Sequence, residues 1–322
     1  MKVRILGSAA GGGFPQWNCN CYNCSGVRSG TILATPRTQS SIAISIDGRG
    51  WILFNASPDL RSQLESARPL QPRTGMRDTG IRGIVLADSQ IDHTTGILML
   101  REGCPLQIYC TDMVAEDLST GFPIFRMLES WDGGVEHHEV PTDGSSFSVD
   151  GVEGLQLTAV VLDGKAPPYS PHRNDPHRGD NVGYLVTDTI AGTSLLYAPG
   201  LGQMTPKLVA LMKTTDLVMV DGTFWCEDEM ARAGVGTKLA SQMGHLPQSG
   251  DDGMLAWLQT VERPRKMLIH INNTNPILIE DSPERAEVEA QGVEVAIDGL
   301  EFEVQMMGGS PTAGGISGDV AP

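Results

Sequence analysis

The sequence predicts an α/β protein built as an αββα four-layer sandwich, two β-sheets face to face with helices on both outer sides. Strand-length apolar runs fall into two groups, one between residues 3 and 110 and one between 156 and 270, each interleaved with helical segments. A sheet has two faces, so each group buries one face on the other sheet and one under helices. With 322 residues, 40% hydrophobic and 19% charged, the chain can build one large core, and no repeat or long linker divides it. Residues 1–306 therefore read as one domain. From 307 the composition shifts to Gly308-Gly309-Ser310-Pro311-Thr312-Ala313-Gly314-Gly315 and on to Pro322, a segment that can bury no apolar area, and 307–322 reads as a disordered tail.

The elements follow in order. Residues 3–8 are a short apolar strand running into Ala9-Ala10-Gly11-Gly12-Gly13, a tight turn without the glycine spacing of a dinucleotide fingerprint. Ser40 to Ile46 alternates at period two, Asp47-Gly48 is a turn dipeptide, and Trp51-Ile52-Leu53-Phe54-Asn55 returns as the second arm of a β-hairpin. A helix is expected from there to about Ala67, with Ser57 as N-cap and Pro58 at its first position. Asp59 reads either as a first-turn acid complementing the helix dipole or as a side chain entering the site. Ile84-Val85-Leu86 is a strand, a polar turn follows, and Thr95 to Leu100 continues as a helix. Gln107 to Cys110 is a strand and Met113 to Leu118 a helix; His137 and His138 read as surface residues at a strand end. The second group comprises Gln156–Leu162, Gly183–Thr187, Ser194–Ala198 and Leu217–Asp221, a helix around Leu255–Leu258, and a strand that ends at His270.

Lys and Arg number 23 against 39 Asp and Glu, a formal net charge of −16. Such a field repels phosphate backbones and argues against nucleic acid as a partner. No apolar run approaches a membrane span and no signal peptide precedes the first strand, so the expected location is the cytoplasm. Six cysteines in a chain this long do not suggest a disulfide framework. Cys104, Cys110 and Cys226 read as free thiols. Cys19, Cys21 and Cys24 differ: three thiols close together on a loop is how structural zinc is gathered.

The run Leu86-Ala87-Asp88-Ser89-Gln90-Ile91-Asp92-His93-Thr94-Thr95-Gly96 carries the most chemistry. It resembles the metal-binding turn of the metallo-β-lactamase superfamily, in which a strand ends in His-x-His-x-Asp-His, then two residues and Gly. The first two His hold one metal, and the Asp and last His hold a second. Asp88 and Gln90 stand at the first two His positions, and a carboxamide oxygen is a poor donor to zinc or iron, so the resemblance implies that the first metal position is lost. Asp92 and His93 remain, and His270 matches the superfamily's last metal His on the same ion. No Asp near Tyr197-Ala198-Pro199-Gly200 corresponds to the bridging carboxylate that joins two metals, which agrees with a single active-site metal. Two His and one carboxylate make the facial triad of non-haem Fe(II) oxygenases. The superfamily's αββα sandwich has the layering derived above, with its metal site at one edge. In relatives with the thiol insertion, a His three residues beyond the last active-site His completes the zinc site. That position here is Asn273, and the fourth donor stays open between Asn273, another side chain, His270 and water.

Loops supply further candidates. Met243-Gly244-His245-Leu246 resembles the Gly-His element that superfamily members place at the substrate; the alternative is an ordinary helix-terminal His. Asp221 ends a buried strand and would orient a ligand or bind substrate. The Pro-rich stretch from Pro167 to Asn181 reads as a lid offering His172, His177, Arg173 and Arg178 to substrate, or else as a solvated loop stiffened by proline.

Longer strings, Leu6 to Cys19, Asp88 to Gly96, Tyr197-Ala198-Pro199-Gly200-Leu201-Gly202 and His270-Ile271-Asn272-Asn273-Thr274-Asn275-Pro276, are similar to the pyrroloquinoline quinone (PQQ) biosynthesis protein B family over nearly everything but the tail. The resemblance implies a role in making PQQ from a Glu and a Tyr of a precursor peptide. The activity it implies is iron- and O2-dependent hydroxylation of the tyrosine ring of a Glu-Tyr-derived intermediate. Fe(II), replaceable by Zn, would sit on Asp92, His93 and His270, with a structural Zn at the thiols. His245 would act as acid or base near the ring hydroxyl, and Arg173 or Arg178 would meet substrate carboxylates. A PQQ carrier without turnover and a zinc-dependent hydrolase are the competing readings, and homo-oligomerisation stays open.

Overall fold

The computed structural model describes residues 1–307 and contains two seven-stranded sheets packed face to face. The first holds β1 (Lys2–Gly7), β2 (Ser41–Ser45), β3 (Trp51–Phe54), β4 (Ile81–Val85), β5 (Leu106–Cys110) and β6 (Val135–Glu139), with the last strand, β14 (Glu301–Glu303), at its edge beside β1. The second holds β7 (Ser146–Phe147), β8 (Leu155–Val161), β9 (Val182–Asp188), β10 (Thr193–Ala198), β11 (Leu217–Asp221), β12 (Arg265–Ile269) and β13 (Val293–Val295), in that spatial order. Each sheet begins antiparallel and turns parallel, at β3 in the first and at β10 in the second.

Side-chain alternation explains the four layers. Along β2 and β3, Ile42, Ile44, Ile52 and Phe54 face the second sheet, where Tyr184, Tyr197 and Met219 meet them. Ala43, Trp51 and Leu53 face the other way, under Leu60, Val114 and Leu118 of the outer helices. The period-two pattern thus separates two apolar layers rather than core from solvent. On the far side, Leu196, Val218 and Leu268 lie under Leu208, Leu255 and Leu258. Phe54 is the hinge of the central layer, edge-on to both Tyr184 and Tyr197 at 5.7 Å.

Several local expectations shift. The helix after the hairpin starts at Leu60, not at Pro58, because the Ser57 hydroxyl donates to Gln63 Oε1 at 3.1 Å instead of capping. Asp59 neither serves a dipole from within a first turn nor enters the cleft; its carboxylate accepts from the Gln39 backbone and side chain at 2.9 and 3.0 Å. The expected helix at Thr95 is a 3-10 segment, Thr95–Gly103, preceded by one α turn, Ile91–Thr94. Gly96 lies so close to Ser57 that a Cβ would sit 2.1 Å from its carbonyl oxygen, which is why this position holds glycine. His137 and His138 lie within β6, where the His138 ring stacks on Tyr109 at 4.4 Å. Met307, expected to begin the tail, donates its backbone N–H to Asp216 at 3.0 Å; the rest of the expected tail lies outside the described residues. Among the described residues no helix is long and apolar enough to cross a membrane.

Candidate metal centre and cleft

Three strand ends build the cleft. Past β4 the chain runs through Asp88 and Gln90 into the turn Ile91–Thr94. In the second sheet β11 ends at Asp221 and its parallel neighbour β12 at Ile269, so Thr223 and His270 leave side by side. The carboxyl ends of parallel strands are where open α/β sheets place their sites.

Asp92, His93 and His270 each bring one donor atom within 4.8 Å of the others. His270 Nε2 lies 3.2 Å from Asp92 Oδ2, and His93 Nε2 lies 3.9 Å from the same oxygen. Donors bound to one ion at about 2.0–2.2 Å stand roughly 3 to 3.5 Å apart, so a small inward adjustment of His93 completes the fit. The buried His93 Nε2 has no hydrogen-bond partner, an orphan that a metal would satisfy.

Each imidazole is gripped by its other nitrogen. His93 Nδ1 faces the two Asp88 oxygens at 2.8 and 2.9 Å, His270 Nδ1 faces Thr223 Oγ1 at 2.8 Å, and His245 Nδ1 faces Asp221 Oδ2 at 2.6 Å. Carboxylates only accept, so the neutral forms of His93 and His245, the forms that bind a metal or take up a proton, carry N–H at Nδ1 and leave Nε2 as the bare nitrogen. Asp88 is therefore not a replacement ligand but the support of one. Burial would lower His93, yet Asp88 and Asp92 push it up to about 9. Burial would raise Asp92, but the charge of His93 beside it holds its carboxyl well below the usual carboxylate range.

Asp221 is fully buried and spends its oxygens on the N–H groups of Leu201 and Thr223, both at 2.8 Å, and on His245. It is the residue behind His245 and does not face the cavity, whereas His245 does. Burial would lower His245, but the Asp221 charge and hydrogen bond raise it above the ordinary imidazole range. His270 has a left-handed backbone, φ 62°, a conformation that costs a non-glycine residue on the order of 1–3 kcal/mol. Bonds from Thr223 Oγ1 to the His270 carbonyl at 2.9 Å and from the Asn272 N–H to the Thr223 carbonyl at 3.1 Å hold it there.

A β-lactamase superfamily domain matches residues 50–271. Coenzyme PQQ synthesis protein B of a Pseudomonas putida strain is 60% identical over 304 residues, which cover 94% of this chain and 100% of that one. The chain belongs to the coenzyme PQQ synthesis protein B family. A second family member, from Methylococcus capsulatus, is 61% identical over 303 residues, 94% of this chain and 99% of its own. The crystal structure of Zn(2+)-bound PqqB from Methylobacterium extorquens matches with a TM-score of 0.86 and 40% identity, covering 94% of this chain and 100% of that one. The fold is thus the metallo-β-lactamase fold, which a diphosphatase of the PhnP family shares at 17% identity and a TM-score of 0.63, over 95% and 98% of the two chains.

In this family member the cleft is a cavity of about 240 Å³, and among the described residues lining it Lys165 is the only Lys or Arg. The four loop residues expected at substrate are placed elsewhere. Arg173 donates to the Ala166 carbonyl and Arg178 to the Thr142 carbonyl; His172 Nε2 lies 3.1 Å from Glu116, and His177 lies beside Met113 and Asp175. Backbone carbonyls, acids and Met113 outside the cavity absorb these groups; of the stretch only its last residue, Asn181, lines the cavity, with Gly164 and Lys165 just before its start. Sequence reasoning missed Lys165 and Thr223; the position of Thr223 two residues past Asp221 was the signal available.

The thiols of Cys19, Cys21 and Cys24 also gather within 4.8 Å, at the start of the helix Tyr22–Ser29. The Asn273 amide caps them, its nitrogen 3.2, 3.6 and 3.3 Å from the three sulfurs. Burial pushes the Cys21 thiol up to about 12, so clustered thiolates here call for a cation. Three thiols suit three corners of a tetrahedral zinc; Asn273 faces them through its amide nitrogen, which donates hydrogen bonds and is no metal donor, so a fourth ligand would be water or Asn273 Oδ1 after a turn of the amide, and the His270 ring belongs to the cleft.

Proposed function

We propose that this chain is an Fe(II)- and O2-dependent hydroxylase acting on the tyrosine ring of a Glu-Tyr-derived intermediate of PQQ synthesis. The observation that carries this reading is the donor set: one carboxylate and two imidazoles, Asp92, His93 and His270, converge at one place while Asp88 is turned to His93. Two His and one carboxylate are the ligands of non-haem Fe(II) oxygenases, whereas a two-metal hydrolase needs a second set; Asp221, His245 and His270 also lie within 4.8 Å of one another, but they share His270 with the first set and Asp221 is spent on His245 and two backbone N–H groups. Iron held there would supply the activation of O2 that places oxygen on an aromatic ring.

The remaining work falls to the chain. His245, fixed through Nδ1 by Asp221, keeps Nε2 for the proton of a phenol in the cavity. Asp221 stabilises the imidazolium that results. Lys165 is the counter-ion for a carboxylate of the Glu portion, which a chain of net charge −16 would otherwise repel. Phe224, edge-on to His245 at 5.7 Å, offers an aromatic wall for the ring.

The test is an anaerobic incubation of Fe(II)-loaded protein with the Glu-Tyr-derived substrate and ascorbate, followed by an oxygen pulse. The expected result is O2 uptake with Fe(II) and not with Zn, one oxygen atom entering the product and the other leaving as water with two electrons from ascorbate. Turnover with Zn and no O2 would replace this reading with a hydrolase; stoichiometric PQQ binding without turnover would replace it with a carrier.

A further inference from the structure

Thr223 Oγ1 sits where two imidazoles meet, 2.8 Å from His270 Nδ1 and 3.1 Å from His245 Nδ1, and also 2.9 Å from the His270 carbonyl oxygen. The residue is 2% exposed, so water does not compete for these contacts. A hydroxyl has one proton and two lone pairs. A carbonyl can only accept, so the proton goes to His270 O and both lone pairs face the rings. Each ring must then turn an N–H, not a lone pair, toward Thr223. For His245 the Asp221 carboxylate already makes that demand at 2.6 Å. For His270, Thr223 is the only partner of Nδ1 among the described residues.

We infer that Thr223 is a positioning residue that locks His270 in the tautomer whose Nε2 is bare, and that it does so because its own proton is committed to the His270 backbone. Without the lock, the ring gains by moving its proton to Nε2 and donating to Asp92 Oδ2, 3.2 Å away. That arrangement satisfies both groups with no metal present and must be broken for a metal to enter. With the lock, a lone pair faces a carboxylate, and a cation relieves the repulsion. One hydroxyl thus sets the backbone, the rotation and the protonated nitrogen of the same ligand. The lock would serve any divalent ion in the cleft and does not depend on the reaction proposed above.

The test compares Thr223→Val, which removes the hydroxyl at nearly constant volume, with Thr223→Ser, which keeps it. Metal-depleted protein is titrated with Co(II), the cleft followed by its d–d absorption and the thiol cluster by its thiolate charge-transfer band. Thr223→Val should bind Co(II) in the cleft about 10–100-fold more weakly, the usual effect of removing a partner of a ligand imidazole, with the thiol band unchanged. Thr223→Ser should restore binding to near that of the unaltered protein. Long-range 1H–15N spectra of metal-free protein, at a pH where His270 is neutral, should show its proton on Nδ1. Equal Co(II) affinity in Thr223→Val, or a proton on Nε2 in the unaltered protein, overturns the inference; should Thr223→Val not fold, the spectrum alone decides.

Discussion

Asp88 Oδ1 lies 2.8 Å from His93 Nδ1, so a residue at a forfeited ligand position holds up a ligand that remains. Asp88→Ala should therefore lower metal affinity in the cleft about 10–100-fold without removing a donor. Asp88→Asn, whose Oδ1 still accepts, should cost less. Competition with a chromophoric chelator orders the two variants; a larger loss in Asp88→Asn would contradict the supporting role.

The same pair makes the metal-free protein sensitive to alkali. His93 titrates at about 9 in the fold, above the roughly 6.5 of an unfolded chain, so folding favours its protonated form. The stabilisation is complete below about pH 6.5 and lost as pH rises through about 9, on the order of 3 kcal/mol at most. Urea unfolding of metal-free protein at pH 6 and pH 10 should show this loss, reduced in His93→Gln. An equal loss in both proteins would assign it to other groups.

Lys165→Ala should raise KM for a substrate carrying a Glu carboxylate by about tenfold or more, with kcat little changed, as expected when binding common to ground and transition states is removed. Arg173→Ala and Arg178→Ala should leave KM within about twofold, because both guanidinium groups are bound to backbone carbonyls outside the cavity. Steady-state kinetics on the three variants separates the cleft cation from the loop cations.

Asp221→Asn removes the charge that raises His245. The limb of the rate profile governed by His245 should move to lower pH, with kcat reduced by about 10²-fold or more if proton transfer limits the rate. A profile that keeps its shape would remove His245 from the proton-transfer step.

Cys24→Ala should release the thiol-cluster metal and leave the cleft metal in place, because Cys24 Sγ gathers with Cys19 and Cys21 and not with the cleft donors. Metal analysis before and after dialysis against a weak chelator reads the difference.

Legibility followed the range of the interactions. The hairpin of β2 and β3 could be read because Asp47-Gly48 and the alternating flanks are local signals. The extent of β6 could not, since Glu136, His137, His138 and Glu139 are polar and the strand's passage through both histidines, read only as a strand end, rests on pairing with Leu106–Cys110. Ser57 carried a correct local capping signal that a longer-range partner, Gln63, overrode. At the site, Asp92, His93 and His270 were visible because imidazole and carboxylate in a strand-end setting are rare types in rare places. Arg173 and Arg178 misled because residue type on a loop says nothing about direction; Lys165 at the loop's base was passed over for the same reason. Thr223 was invisible because threonine is common and only three simultaneous contacts distinguish it.

His270 and Asn273 share a single turn, one end in the cleft and the other on the sulfurs. Inserting or deleting one residue between them would swing a donor out of whichever cluster the remaining contacts did not retain. The spacing of three is therefore an indel-intolerant ruler, and the two centres must be inherited, grafted or redesigned together.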